Sequence, residues 1–247
     1  MKKIVIKPNG GLCNRLRFIL SFIRKLIDEN KFHKYKLIII WKLNNYCTGY
    51  IDCFFQNIKN VEFVSKYHQK PDLSSSYVVE KYININYLEK IPLFLKTRFF
   101  YKIRKIIMKK LKNNYISIHI RRTDLQKILE NKKNRKNKIV SDVQYIEFIN
   151  KFKKEKYIYL ATDNLETQKK FQKLYKDRLI VFKNISEKKD IRKTDIKHSI
   201  IDLFICGCSK KFKGSYYSSY TSFIYLLKNL CRENKDPVAK LENFYNK

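Results

Sequence analysis

The sequence contains no long apolar run. None of its stretches reaches the roughly eighteen consecutive apolar residues from which a membrane-spanning helix is recognised. The first residues, MKKIVIKPNGG, place a run of only three apolar residues before Lys7 and Pro8, which is too short for the hydrophobic segment of a signal peptide. We therefore expect a cytoplasmic protein without a membrane span, whose N-terminus forms a first strand.

The cysteines lack the paired spacing of a zinc site. The closest pair, Cys206 and Cys208, lies within an apolar segment. This pattern favours buried, reduced thiols in a cytosolic compartment over a thiol nucleophile or a metal centre. The interpretation covers all six cysteines, Cys13, Cys47, Cys53, Cys206, Cys208 and Cys231, and it predicts no metal site.

Acidic residues are scarce: 22 Asp and Glu stand against 55 Lys and Arg, a net charge of +33. Such a charge implies polyanionic partners, with nucleic acid as the first candidate. The basic residues are spread along the whole chain, however, and accompany many Asn, Ile, Tyr and Phe residues, as the codons of an AT-rich genome would dictate. We interpret most of the charge as solvated surface and expect no specific nucleic acid. A basic nucleic-acid-binding protein stays the alternative from another functional class.

Strand and helix patterns alternate along the chain in two series. Hydrophobic residues make up 44% of the chain, enough for a sizeable core. The alternation predicts an α/β fold of two stacked parallel-sheet domains. The predicted strands are 2–6, 36–41, 61–64, 76–83, 115–120, 157–162, 178–182 and 211–214. The predicted helices are 14–29, 94–112, 142–154, 165–176, 197–208 and 218–230.

A glycine loop, NGGLCNRLR, follows the first predicted strand at residues 9–17. Gly10 and Gly11 allow the backbone to approach a ligand closely, and the N-terminus of the helix beyond them favours negative charge. The loop matches neither a Walker A motif nor G-x-G-x-x-G. A phosphate site and a tight structural turn are both consistent with it.

The segment HIRRTD, residues 119–124, ends a strand of period two. The carboxyl ends of parallel strands open into the binding crevice of α/β proteins. A guanidinium there can bind a diphosphate and stabilise charge on a leaving group. The aspartate at the end of the segment can orient an arginine or act as a base, and a solvated basic loop is the alternative.

Two further strand ends carry polar groups. In YLATDN, residues 159–164, Asp163 can accept hydrogen bonds from a purine or ribose, or cap the helix that begins at 165. In FKGSYYSSYTSF, residues 212–223, Ser218 and Ser219 can cap the next helix and also contact a phosphate. Capping alone is an equally simple explanation for each serine.

Taken in order, GGLCNRLR, HIRRTD, TDN and GSYYSS resemble the fucosyltransferase superfamily that uses GDP-fucose. The likeness is greatest to the α1,6- and nodulation-type enzymes, and it includes the H-x-R-R-x-D motif shared with α1,2-fucosyltransferase-like proteins. Trp41 and Cys47, ahead of Phe54 and Phe55, resemble a W…C…F pattern in bacterial relatives. The resemblance extends from residue 9 to about residue 228.

The resemblance implies the GT-B architecture, an α/β fold of two Rossmann-like domains with parallel sheets. Residues 1–95 would form the acceptor-side domain and residues 96–247 the GDP-sugar-binding domain. The implied activity is a metal-independent, inverting glycosyltransferase without a cofactor, with a GDP-sugar, above all GDP-fucose, as donor. The acceptor is left open between a glycan, a lipid-linked sugar and a protein side chain.

The resemblance also assigns roles to the residues around the arginine pair. Arg121 is expected on the β-phosphate of GDP, where it would stabilise the charge on the leaving group. Arg122 would support Arg121 or anchor Asp124. His119 would lie near the nucleotide, and Asp163 would bind the guanine.

The remaining roles concern the first and last motifs. Ser218 and Ser219 would contact phosphate. Asn14 lies at the position of the family's glycine-loop asparagine, beside the sugar and the acceptor, and Gly10 and Gly11 would form the donor loop.

Two positions depart from the family pattern. Cys13 replaces a glycine of the first loop, and Asn164 replaces the second aspartate of the third motif. These changes motivate a further alternative, a catalytically inactive relative that binds a nucleotide or glycan. The catalytic base stays open among Glu130, Asp124 and Asp142.

Overall fold

The computed structural model describes residues 1–45, 47–68, 70–74, 94–123, 139–185 and 195–245. They form two units, Met1–Lys96 and Thr97–Tyr245. Among the helices in these ranges, none has the length and apolarity that crossing a membrane requires.

The first unit is built on a parallel sheet. Helix α1, Leu12–Asp28, follows the first strand and buries one face that includes Leu16, Ile19 and Ile23. The 3₁₀ turns Phe32–Lys34 and Ile51–Cys53 lie in the connections. The described strands are β1 (Lys2–Lys7), β2 (Tyr35–Ile40), β3 (Val61–Val64) and β4 (Leu73–Ser74), in the order β3-β2-β1-β4.

The second unit repeats this plan. Its described strands are β5 (Tyr115–Ile120), β6 (Tyr157–Thr162), β7 (Leu179–Ile180) and β8 (Phe212–Lys213), all parallel, in the order β7-β6-β5-β8. Its helices are α2 (Thr97–Lys105), α3 (Asp142–Lys151), α4 (Leu165–Tyr175), α5 (Ile196–Cys208), α6 (Ser219–Leu230) and α7 (Pro237–Glu242). A π-helical turn, Ile106–Lys110, continues α2.

Both sheets therefore have the same strand order: third, second, first, fourth. The second and third strands lie on one side of the first strand, and the fourth strand lies on its other side. The strand order therefore reverses between β1 and β4 in one unit and between β5 and β8 in the other. In doubly wound sheets, ligands bind in the crevice outside the carboxyl ends of the strands at this reversal. The topology thus selects the loops after β5 and β8 as one candidate site and the loop after β1 as another.

The helices of the second unit begin where local capping dictates. Ser141 forms a capping box with Gln144 at the start of α3. Asp195 and Asp236 accept hydrogen bonds from backbone N–H groups in the first turns of α5 and α7. Such caps satisfy N–H groups that have no partner within the helix.

The predicted strands 61–64, 115–120 and 157–162 match the structure. The predicted helix 94–112 is wrong at both ends, because Leu95 bridges to Phe55 and the helical hydrogen bonding changes after Lys105. The elements β4 and α7 were not predicted, since two and six residues are too few to show a period. The predicted strand 76–83 lies outside the described residues.

All six cysteines are free thiols, as predicted, and five of them are buried. The prediction of burial is wrong for Cys53, which is exposed at the end of the turn Ile51–Cys53. In the part of the chain that the structure describes, no group of three His, Cys, Asp or Glu side chains is placed to hold a metal ion.

Candidate functional site

His119 lies near the carboxyl end of β5, a strand buried along its whole length. Its Nδ1 is 2.8 Å from the Thr221 hydroxyl in the first turn of α6, and its ring centroid is 4.8 Å from that of Tyr220. Burial, and then the positive charge of Arg121, lower the pKa of His119 to about 3. The imidazole is therefore neutral at physiological pH, a form suited to hydrogen bonding.

Gly214 allows α6 to approach the end of β8. A Cβ at Gly214 would lie 2.3 Å from Cγ2 of Thr221, a distance that no side chain tolerates. The absent side chain leaves room for Thr221, which in turn contacts His119. This glycine is therefore required by the close approach of the two elements.

Arg121 directly follows β5 and is held through its backbone. Its N–H donates to the Ser215 hydroxyl in the loop after β8, with an N–O distance of 2.9 Å. The Ser215 and Tyr145 hydroxyls are 2.9 Å apart, and they lie 3.3 and 3.0 Å from the carbonyl of His119. Ser215 and Tyr145 are both buried. This network joins β5, β8 and α3 where the chain direction reverses, and it fixes the backbone from which the Arg121 side chain extends.

The Arg122 side chain is bound at the start of α3. Its guanidinium donates to the carbonyl of Val140 at 2.9 Å and to the carboxylate of Asp142 at 2.8 Å. Asp124, which Arg122 was predicted to anchor if it did not support Arg121, lies outside the described residues. The contacts of Arg122 with Val140 and Asp142 make it an anchor for α3.

Asp142 is poorly suited to act as the base. Its second oxygen is 2.6 Å from the ammonium of Lys170. Burial raises the pKa of Asp142, but the hydrogen bonds and charges of Lys170 and Arg122 outweigh it and the net shift is downward. A carboxylate held by two cations is a weak proton acceptor. The other two candidates for the catalytic base, Asp124 and Glu130, lie outside the described residues.

Asp163 organises the loop after β5. Its carboxylate accepts a hydrogen bond from the N–H of Arg122 at 2.9 Å and another from the Thr123 hydroxyl at 2.5 Å. The alternative that Asp163 caps the next helix is wrong, because Asn164 accepts from the N–H of Thr167 at 2.7 Å and caps α4. A contact between Asp163 and guanine stays a prediction.

Ser218 and Ser219 have different positions. Ser218 is the buried N-cap of α6 and accepts a hydrogen bond from the N–H of Thr221, so its predicted capping role is confirmed. Ser219 is the first residue of the helix and is half-buried. The helix N-terminus favours an anion beside it, and a phosphate contact stays a prediction for both serines.

The glycine loop of the first unit is held by a buried arginine. Gly10 has φ +84°, in the left-handed region that favours glycine, and Gly11 precedes the first residue of α1. Arg15 donates from Nε to the carbonyl of Gly10 at 2.8 Å and from Nη1 to the carbonyl of Lys42 at 2.6 Å. The guanidinium also lies 4.8 Å from the ring centroid of Trp41. Arg15 therefore joins the loop after β1 to the residues after β2.

Asn14 lies in the first turn of α1 and is half-buried. Its amide nitrogen is close to Gly10, because a Cβ on Gly10 would lie 3.3 Å from it. The structure thus places Asn14 against the turn of the glycine loop, and its contact with sugar and acceptor stays a prediction.

The predicted residues divide between the two units. Gly10, Gly11 and Asn14 lie at the carboxyl end of β1. The second unit brings His119, Arg121, Arg122, Asp163, Ser218 and Ser219 to the carboxyl ends of its strands.

Sequence reasoning missed three partners of the second set. Ser215 and Thr221 lie inside the segment 212–223 and could have been noticed as further hydroxyl groups of that motif. Tyr145 has no signal in the sequence, because an aromatic residue on a helix is ordinarily assigned to the core.

Comparison with known proteins gives a family and a fold. The family model for GDP-fucose protein O-fucosyltransferase matches residues 34–230. The sequence matches no curated protein. Solved structures with a similar fold include NodZ α-1,6-fucosyltransferase soaked with GDP-fucose, with 13% identity and a TM-score of 0.55 over 92% of each chain.

Two other solved structures have a fold similar to that of this chain. Fucosyltransferase NodZ from Bradyrhizobium has 12% identity and a TM-score of 0.56, over 91% of this chain and 93% of that one. POFUT1 in complex with GDP has 14% identity and a TM-score of 0.55, over 93% of this chain and 94% of that one. These likenesses confirm the predicted GT-B-like fold class, and the match over most of the sequence shows that the chain belongs to the GDP-fucose protein O-fucosyltransferase family.

Proposed function

We propose that the chain transfers L-fucose from GDP-fucose to an acceptor hydroxyl, with inversion at the anomeric carbon and without a metal ion. Membership in the family supports the donor and the reaction class. The observation that carries the proposal is the position of Arg121 between β5 and β8, fixed by Ser215 and close in the fold to the N-terminus of α6.

The transfer reaction requires stabilisation of the negative charge on the leaving diphosphate. The acceptor oxygen attacks the anomeric carbon as the bond from that carbon to the β-phosphate oxygen breaks, and the bonding electrons leave with GDP. The Arg121 guanidinium and the N-terminus of α6, with Ser218 and Ser219, would neutralise that charge. Cationic side chains and helix dipoles can do this without a metal, which supports the metal-independent reaction.

The acceptor proton must leave during the attack. Asp142 is a poor base for the reasons given above, so Asp124 and Glu130 are the carboxylates to test first. Asn14, at the glycine loop, would contact the sugar or the acceptor.

The family description names a protein acceptor, and we propose a Ser or Thr hydroxyl of a polypeptide as the acceptor. A glycan hydroxyl is the alternative for an acceptor screen. The nucleic-acid-binding hypothesis gives no reason for the buried network that holds the backbone of Arg121, whereas the inactive-relative hypothesis differs only in predicting no turnover.

The test is calorimetric titration with GDP, ADP and UDP in moderate salt and EDTA, followed by release of fucose from GDP-fucose without an acceptor. We expect GDP-selective binding that weakens in Arg121→Ala and Asp163→Ala, and a loss of turnover in Arg121→Ala of about 100-fold or more. Arg178→Ala is the matched control, because Arg178 contacts the carbonyls of Lys156 and Glu155 just before β6.

The outcomes separate the hypotheses. Equal, salt-sensitive binding of every nucleotide would favour a general polyanion-binding protein. GDP binding without turnover, both alone and with the polypeptide and glycan acceptors of the screen, would favour the inactive relative. Turnover that survives in Arg121→Ala would remove Arg121 from the mechanism.

A further inference from the structure

A cavity of about 260 Å³, partly open to solvent, lies in the first unit beside α1. Leu16, Ile19 and Leu20 form one wall. These positions are three and four residues apart, so they lie on one face of the helix. The opposite wall comes from the segment between the turn Ile51–Cys53 and β3, and includes Ile58.

The size of the cavity restricts its occupant. Because the cavity is partly open to solvent, a ligand can enter it from the surface. The volume is just below the roughly 300–1,000 Å³ of pockets for drug-sized ligands. Because most of its lining residues are apolar, Phe55 and Phe63 among them, it suits one or two apolar side chains.

The rim of the cavity is acidic in a chain that is otherwise strongly basic. Asp52 and Glu62 line it, and both are exposed. Glu62 is 2.6 Å from the ammonium of Lys36, but both side chains are more than 40% exposed, so the pair stabilises the fold little. Asp52 makes no ion pair with any residue that the structure describes. Two carboxylates around an apolar floor favour an aliphatic side chain followed by a cationic one.

The helix that lines the cavity is the one that begins at the glycine loop. Leu16 is two residues after Asn14, a rise of about 3 Å along the helix axis, but residues two apart lie on different faces of a helix. A ligand in the cavity therefore contacts this helix, on a face other than the one that carries Asn14. This is the unit to which the family resemblance assigns the acceptor.

From these observations we infer that the cavity is an acceptor-docking site, which binds an aliphatic side chain of a polypeptide next to a Lys or Arg residue. The assignment to an acceptor rests on the proposed function. The preference for an aliphatic-basic pair rests on the cavity itself.

The first experiment measures binding without donor or turnover. The probes are the amides of N-acetyl-Leu-Lys, N-acetyl-Leu-Gln and N-acetyl-Leu-Glu, titrated at low salt and followed by NMR. We expect Leu-Lys to bind about two- to fivefold more tightly than Leu-Gln, as for an exposed charge pair, and Leu-Glu to bind most weakly. Added salt should reduce the difference.

Variants locate the site. Ile58→Trp fills the cavity with a larger side chain and should weaken all three probes about tenfold or more. Asp52→Asn keeps the shape and should remove most of the preference for Leu-Lys over Leu-Gln. Glu29→Gln is the matched control, since Glu29 is an exposed carboxylate just after α1 that does not line the cavity.

Several results would overturn the inference. One is binding that Ile58→Trp leaves unchanged. Another is a wild-type protein that binds none of the probes, as it would if another part of the chain filled the cavity. A third is equal affinity for Leu-Lys and Leu-Glu. None of these depends on GDP, so the cavity and the donor site can fail separately.

The acceptor role has its own test. A Thr-containing peptide with a nearby Leu-Lys pair should show a KM for transfer that rises about two- to fivefold in Asp52→Asn, with kcat unchanged. Dipeptide binding at the cavity with no change in KM would overturn the acceptor role.

Discussion

The Ser215 hydroxyl accepts a hydrogen bond from the N–H of Arg121, a residue 94 positions earlier in the chain, at 2.9 Å. The two residues meet because β5 and β8 are neighbouring parallel strands. Tyr145, from α3, completes the contact through its own hydroxyl. The backbone of the arginine that we assign to the diphosphate is therefore held by groups that need not touch the substrate.

Ser215→Ala removes the acceptor for the Arg121 N–H. A buried donor without its partner costs about 1–3 kcal/mol, so amide exchange at Arg121 should accelerate and the kcat of GDP-fucose turnover should fall. Ser222→Ala is the control, because Ser222 is exposed on α6 and its hydroxyl donates to the carbonyl of Ser218, which also accepts from the N–H of Ser222. A double-mutant cycle with Tyr145→Phe should give a non-zero coupling energy; additive effects would show that the two hydroxyls act independently.

His119 should make the fold less stable in acid. Its pKa of about 3 in the folded protein, caused by burial and then by Arg121, is below the ordinary 6.5 of the unfolded chain. The contribution of neutral His119 to the free energy of unfolding is fully present above pH 6.5. It is lost as pH falls towards 3, by about 1.4 kcal/mol per pH unit. Denaturant unfolding at pH 7 and pH 5 should show this loss in the wild type and in His33→Gln, whose histidine is exposed, but not in His119→Gln.

His198 should act in the opposite direction. Its Nε2 is 3.2 Å from the carboxylate of Asp202, and both side chains are buried. Burial lowers the pKa of His198, but the charge and hydrogen bond of Asp202 outweigh it and the pKa is raised. The stabilisation by the His198–Asp202 ion pair is complete below pH 6.5, the pKa of histidine in the unfolded chain. It is lost as pH rises through the pKa of His198 in the folded protein.

The corresponding measurement compares the wild type with His198→Gln. The difference between their free energies of unfolding should be larger at pH 6 than at pH 9. A difference that is constant with pH would mean that the imidazole is neutral throughout and that the ion pair contributes nothing.

Arg15 should be essential for the stability of the first unit. Arg15→Ala leaves the carbonyls of Gly10 and Lys42 without their donors and removes a cation from the face of Trp41. Hydrogen bonds to charged groups contribute about 1.5–3 kcal/mol each, so we expect a loss of about 3 kcal/mol in denaturant unfolding. Arg17→Ala, on the same helix but only half-buried, should cost about 0.5 kcal/mol or less, as is typical of surface changes.

Amino-acid patterns predicted much of the second unit. The predicted strands 115–120 and 157–162 match β5 and β6, which are buried along almost their whole length, as parallel strands covered on both faces are. Capping residues predicted where α6 begins, because the hydrogen bond of Ser218 is local. Short elements such as β7 were predicted too long, since apolar residues continue beyond the two that pair with the neighbouring strand.

The sequence by itself determined the order of strands and helices, the caps, and the strand ends at which Arg121 and Asp163 lie, because each depends on residues close together in the chain. Only the tertiary structure decided that Ser215 holds the N–H of Arg121 and that Asp163 binds the loop after β5. These contacts depend on which strands are neighbours, and strand order is set by packing over the whole unit, which no local pattern contains.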